Sequence, residues 1–383
     1  MIVTIILLAV AVVGMMLSLI IIVGVALYDV KEIKKARLFK QHPYSRQYLK
    51  RPLISVVIAA SGDEDTLTRC LDSLLKGRYR KFEVIIIDRS LKNRIRQIAN
   101  TYSSKYKQNI RLFKTKRSAA KASAAAYRKY GQGELVTVFD DTNTFGTDTL
   151  RRAAWHFNAS PKLDALILNS QVTSAFSTIG LFEKYEGILA LLSKKASSSL
   201  GVIYDTTHQN IVYSKNVFGK AKTPGKARHF FYADDAILQV QPSKSLFRLL
   251  RRRYYLQISR LHTLIHIRGV FFTRDAAYTK FFAWFYLPFV FFVGLAALCL
   301  PLLISYFIYV AVWINQPILF ILCLVVLSMF FLFALWWNDH LSLRQKLTYS
   351  ALLPITYGMF YVLSFTQIFA VVRGLTYRKS PID

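Results

Sequence analysis

The chain has 383 residues, 54% of them hydrophobic and 14% aromatic, with 51 Lys and Arg against 21 Asp and Glu. So much apolar content beside a net charge of +30 argues against one uniform domain, so the two must be segregated along the chain. The charge suits nucleic acid or an anionic membrane surface, but no zinc-finger spacing, RNP-like aromatic pattern or basic zipper supports nucleic acid.

Met1 to Tyr28 contains no charged side chain and, at about 1.5 Å per residue, is long enough to cross a hydrocarbon core of roughly 30 Å. Without a basic n-region or a small-residue cleavage site it reads as a signal anchor, residues 1–28. Lys31, Lys34, Lys35, Arg37 and Lys40 follow in a basic juxtamembrane linker, residues 29–51. The positive-inside rule then places the next segment in the cytoplasm.

Residues 52–242 change to an α/β pattern. Leu53 to Ala60 is a short apolar run, as expected of a parallel strand covered on both faces. Thr66 to Lys76 carries Leu67, Cys70, Leu71, Leu74 and Leu75 at helical spacing. Phe82 to Asp88 is the next strand, followed by a helix over Asn93–Lys105, a strand over Ile110–Phe113, and an Ala/Lys helix over Ser118–Tyr130. Leu135 to Phe139 leads into Asp140 and Asp141. This alternation predicts a doubly wound parallel sheet, in which ligands sit beyond the carboxyl ends of the strands. Asp88 and Asp140 both stand there, and their joint placement favours a ligand role over turn or cap duty. Asp234 and Asp235, just before Ala236-Ile237-Leu238, read either as an N-cap pair or as a functional acid.

Residues 243–280 are amphipathic, with Leu246, Leu249, Leu250 and Leu256 interleaved with Arg248, Arg251, Arg252 and Arg253. Such a helix is expected to lie in a membrane interface. Phe281–Val312, Ile318–Trp337 and Leu347–Val372 then read as three spans within residues 281–372, followed by a basic tail, 373–383. The positive-inside rule leaves the side of the C-terminus open, since Pro354 allows a re-entrant last segment. Cys70, Cys299 and Cys323 share no metal or disulfide spacing, and His156, His208, His229, His262 and His266 form no metal-ligand pattern.

In this order of segments the chain resembles the membrane-bound family-2 glycosyltransferases, relatives of the hyaluronan, chitin, cellulose and poly-N-acetylglucosamine synthases. Pro52, Ser55-Val56-Val57-Ile58, Glu64-Asp65-Thr66-Leu67 and Cys70 to Leu75 follow the family's opening strand and helix, as do Phe82–Asp88 and Thr147–Arg152. The resemblance implies a cytosolic doubly wound glycosyltransferase-A-type domain, α-helical transmembrane segments, an amphipathic interface helix and a multi-pass location in the plasma membrane. It implies a metal-dependent, inverting transferase that moves a sugar from a UDP-sugar to a polysaccharide or lipid-linked acceptor, beside anionic headgroups of the bilayer and without nucleic acid.

By the same resemblance, Asp88 and Asp63 contact the nucleoside, with Lys121 near the donor. Asp140, with Asp141, holds Mg²⁺ or Mn²⁺, and Asp235 is the catalytic base. The interface helix meets acceptor and diphosphate in one of two registers, Arg252-Arg253-Tyr254-Tyr255-Leu256 or Gln257-Ile258-Ser259-Arg260-Leu261. Neither has the Trp that ends the family's Gln-x-x-Arg-Trp motif. Ser61-Gly62-Asp63 stands where the family has Tyr-Asn-Glu, Arg89 replaces a second carboxylate, and Thr142 takes the second Asp of Asp-x-Asp. These departures give an alternative reading, a non-catalytic relative partnering an active synthase.

Overall fold

The computed structural model describes residues 19–32, 51–60, 63–88, 93–106, 109–115, 119–173, 177–200, 210–218, 229–243, 245–267, 271–272, 282–286 and 331–376, with a few positions between 288 and 329. In chain order the elements are α1 (residues 19–32), β1 (Ile54–Ala60), α2 (Glu64–Lys76), β2 (Phe82–Asp88), α3 (Asn93–Tyr106), β3 (Ile110–Lys114), α4 (Ala119–Tyr130), β4 (Leu135–Asp140) and β5 (Asn143–Phe145). They continue with α5 (Thr149–Ala159), β6 (Ala165–Val172), α6 (Thr178–Ser199), β7 (Ile211–Ser214), β8 (Phe230–Val240), α7 (Leu246–Ile267) and α8 (Leu343–Thr376). The chain divides into two compact units. An α/β unit holds residues 31–173 and 203–241, and a helical unit holds residues 1–30, 174–202 and 242–378.

In the α/β unit the expected strands and helices appear within a residue or two of their predicted ends. α2 starts where Asp63 caps it, accepting from the Asp65 amide, and buries Leu67, Cys70, Leu71, Leu74 and Leu75 along one stripe. The strands form one sheet of eight, ordered β3-β2-β1-β4-β7-β6-β8-β5. Its first four strands are parallel, with β1 between β2 and β4. Helices cover both faces. α2 and α5 residues such as Leu71 and Ala153 pack with Ile54, Val56 and Ile58, while Ala122 and Ala126 of α4 pack with Val57, Ile85 and Val136. Because β1 and β2 are buried on both sides, they read as unbroken apolar runs.

The sheet is mixed rather than wholly parallel, since β7 runs antiparallel to β4 and β6, and β5 antiparallel to β8. Asp234 and Asp235 lie inside strand β8, not at a helix start. The aromatic lead-in Phe230-Phe231-Tyr232 pairs with β6, and strand pairing overrides the capping pattern.

The helical unit contains α1, α6, α7 and α8. Phe182 of α6, Leu249 of α7 and Leu363 of α8 form a buried cluster with Ile179, Leu250, Met359 and Phe360 around it. α1 meets α6 closely at Gly24, where a Cβ would come within 2.7 Å of the Ala196 Cβ. Beside that contact the buried Lys195 ammonium lies 3.5 Å from the Asp29 carboxylate and 5.5 Å from the centre of the Tyr28 ring.

For the described residues the expected transmembrane segments, and the multi-pass membrane location built on them, are contradicted. Among the described residues no helix is long and apolar enough to cross a membrane. The predicted span over 347–372 falls in α8, whose sequence is interrupted by Thr348, Tyr349, Ser350, Thr356, Tyr357, Thr366 and Gln367. Within it the Tyr357 hydroxyl shares a hydrogen bond with Ser328, Thr356 donates to the Leu353 carbonyl of its own helix, and the Tyr349 backbone carbonyl accepts from Tyr185. Residues 1–18 of the predicted anchor, most of 281–312, and half of 318–337 lie outside the described residues, as do most of the linker and the last residues of the tail.

Candidate active site

Strand register places the chemistry-bearing residues on one rim. Val138 of β4 pairs with Ile211 of β7, Ile211 with Ile167 of β6, and Ile167 with Tyr232 of β8. Counting onward from that row, Asp140 of β4, Asn169 of β6 and the residues following Ala233 of β8 reach a common level. On the other side Asp140 pairs with Ala59 of β1, and Asp88 of β2 with the next residue, Ala60. At about 4.8 Å per strand, Asp88 and Asp140 stand on strands roughly 10 Å apart, with β8 roughly 14 Å beyond β4. The rim therefore lies at the carboxyl ends of the parallel strands and spans the point where strand order reverses, between β1 and β4.

Asp88 closes β2, is fully buried, and accepts through its carbonyl from the Thr115 amide. The neighbouring Arg89 lies outside the described residues. Asp140 is half-buried at the end of β4, and Asp141 is buried with its amide donating to the Ala59 carbonyl. Burial pushes the Cys70 thiol up, and the nearby charges of Asp141 and Asp140 push it further. Among the described residues no group of three His, Cys, Asp or Glu gathers to hold a metal ion. One or two carboxylates, completed by phosphate oxygens, suffice for Mg²⁺. Asp140 with Asp141 fits that donor set.

The bulge in β8 shapes the other end of the rim. Leu168 pairs with Ala233 and the next residue, Asn169, with Ile237, so Asp234, Asp235 and Ala236 have no counterpart on β6. The Asn169 side-chain amide donates to both the carbonyl and the carboxylate of Asp234, each at 2.9 Å. Asp235 turns instead to α5, where its carboxylate meets His156 Nε2 at 2.8 Å and the Arg152 guanidinium at 3.5 Å. Burial by itself pushes the Asp235 carboxyl up. The hydrogen bond and charge of His156, with the Arg152 guanidinium, more than offset it and hold the group below its ordinary value. Between Asp140 and the bulge, Asn143 donates to Asn210, and Asn210 to Ser170.

The remaining predicted residues fall elsewhere. Asp63 is occupied as the α2 cap. Lys121 stands exposed on the first turn of α4. In the helical unit Arg252 lies 3.4 Å from Glu183. Arg253 is nearly buried, 2.6 Å from Glu186, with its guanidinium 4.7 Å from the centre of the Phe182 ring. Gln257 is half-buried on α7, and the side chain of Arg260 lies outside the described residues. Sequence reasoning passed over Arg152, His156 and Asn169. The first two stand four residues apart on α5, a spacing that puts them on one helical face, but their shared partner is distant in sequence.

Residues 55–219 match the family described as glycosyl transferase family 2. No curated protein matches the chain. Among solved structures the chain is similar to the mannosyltransferase PcManGT from Pyrobaculum calidifontis, in complex with GDP-Man and Mn²⁺. That likeness has a TM-score of 0.58 at 16% identity and covers 95% of this chain and 100% of that one. A weaker likeness, with a TM-score of 0.42 at 13% identity, is to residues 1–349 of S. aureus TarS in complex with UDP-GlcNAc, covering 84% of this chain and 92% of that one.

Proposed function

We infer the reaction from the premise that this chain is a nucleotide-sugar glycosyltransferase carrying a family 2 domain: a UDP-sugar donates its sugar, with inversion, to a glycan or lipid-linked acceptor. The observation that carries this reading is the single rim on which Asp88, Asp140 and Asp235 stand, at the carboxyl ends of parallel strands. Asp88, buried and able only to accept once ionised, holds a ring N–H of the nucleobase. Asp140, with Asp141, holds Mg²⁺ or Mn²⁺, which when bound neutralises the departing diphosphate. Asp235 takes the proton of the acceptor hydroxyl as its oxygen bonds to the anomeric carbon and the bond from that carbon to the diphosphate breaks. With His156 and Arg152 keeping it ionised, Asp235 is in the state that role requires.

Titration calorimetry of UDP into the purified protein, with and without Mn²⁺, tests the reading. Mn²⁺ is expected to tighten UDP binding, and Asp140→Ala to remove that gain. UDP affinity indifferent to both Mn²⁺ and Asp140→Ala would overturn the metal assignment. GDP binding more tightly than UDP would overturn the nucleotide choice alone.

A further inference from the structure

Asp235 sits on three residues of β8 that have no partners on β6. A carboxylate on such a bulge has no ladder to fix its direction, so other groups must aim it. Two sets of contacts do so. On one side Asn169 of β6 clamps Asp234 through its carbonyl and carboxylate. On the other, α5 presents His156 and Arg152, one to each Asp235 carboxylate oxygen.

His156 is itself held firmly. Its side chain is only 3% exposed, and its ring lies between Trp155, with centroids 4.7 Å apart, and Phe231, at 5.3 Å. An ionised carboxylate can only accept, so Nε2 carries the hydrogen that Asp235 receives. Asp235, at 37% exposure, keeps an open edge for an incoming hydroxyl. Among the described residues, the titratable and charged groups beside it are Arg152 and His156 from α5 and Asp234 next to it on β8, with the neutral Asn169 of β6 bonded to Asp234.

We propose that His156 is the positioning residue of the catalytic base, fixing the direction of the Asp235 carboxylate and keeping it ionised, with Arg152 as a second tether. This rests on the reading of Asp235 as the proton acceptor. In this role His156 acts through Asp235, which it meets at 2.8 Å. Its place on the last turn of α5, where its carbonyl accepts from the Ser160 amide and its ring meets two aromatic rings, supplies the rigidity that a bulge lacks.

Three variants of the full chain test the assignment. His156→Phe keeps a ring between Trp155 and Phe231 and removes the N–H. His156→Gln returns an amide N–H near the position of Nε2. Asp235→Asn removes the base and identifies its carboxyl signal in a carbon-13 NMR titration. UDP release from UDP-N-acetylglucosamine with Mn²⁺, water serving as acceptor, is followed against pH, and UDP calorimetry checks that each variant still binds nucleotide.

In His156→Phe the Asp235 titration midpoint is expected to move up, and the acid limb of UDP release to move with it. The rate above that limb should fall by up to about 100-fold through misdirection of the base, and His156→Gln should recover part of both. An Asp235 midpoint unmoved in His156→Phe overturns the positioning role even when Asp235→Asn is inactive. Undiminished UDP release by Asp235→Asn instead overturns the base assignment, whatever the midpoint does.

Discussion

Glu183 offers a sharp test of how α7 is held in the helical unit. Its carboxylate is 5% exposed and accepts from the Ser243 amide and the Ser243 hydroxyl, each at 2.7 Å, with Arg252 3.4 Å away. Hydrogen bonds to a charged group contribute about 1.5–3 kcal/mol each. The Arg252 side chain is 56% exposed, so its ion pair is screened and contributes at most about 1 kcal/mol. Glu183→Ala should therefore cost about 3–5 kcal/mol, since it also leaves the two Ser243 donors without their acceptor. Glu183→Gln keeps one acceptor oxygen but turns an NH₂ toward a donor, at a cost of about 1–3 kcal/mol. Arg252→Ala should cost less than about 1 kcal/mol. Two compact units need not unfold together, so a local assay is chosen for this contact, hydrogen exchange at the Ser243 amide. At about 1.4 kcal/mol per decade, exchange should quicken more than a hundredfold in Glu183→Ala and less than tenfold in Arg252→Ala. Equal acceleration in the two variants would refute the reasoning, because the ion pair and not the double acceptor would then be the anchor.

Two further outcomes are expected. The Asp235 carboxyl is held below its ordinary value, so it contributes stability that is present above its unfolded pKa of about 3.9 and is lost as pH falls through the lower folded value. Urea midpoints of wild type and Asp235→Asn should accordingly converge as the solution is acidified, and parallel curves would contradict the pairing with His156 and Arg152. Glycine substitutions should act with opposite signs. A Cβ at Gly133 would lie 2.5 Å from the Ser55 amide nitrogen and 2.7 Å from the Leu135 carbonyl oxygen, so Gly133→Ala should destabilise by about 1–3 kcal/mol. A Cβ at Gly187, within α6, meets nothing within 4 Å, so Gly187→Ala should stabilise by up to about 1 kcal/mol. Thermal unfolding of the two variants checks the pair.

Much of the α/β unit is legible in the residue pattern. Ile54 to Ala60 and Phe82 to Asp88 read as buried strands because both faces are covered. α2 reads as a helix because Leu67, Cys70, Leu71, Leu74 and Leu75 recur at its period. The same local reading fails at Asp234-Asp235, where a capping pattern lies within a strand, and at residues 347–372, where length and apolar content suggest a span. In the first case pairing with β6 decides. In the second, polar residues interrupt the apolar run, among them Tyr357, whose hydroxyl meets Ser328.

The sequence by itself determined the order of strands and helices from β1 to β4, and that Asp88 and Asp140 close two parallel strands, because periodicity and strand ends are local properties of the chain. Tertiary structure alone decided that β7 and β5 run against their neighbours and that the bulge turns Asp234 and Asp235 apart. It also decided that His156 and Arg152, 79 residues and more from Asp235 in sequence, are the groups that hold it. A hydrogen bond between two elements depends on strand register and helix packing, and neither is set by the residues on either side of the bond.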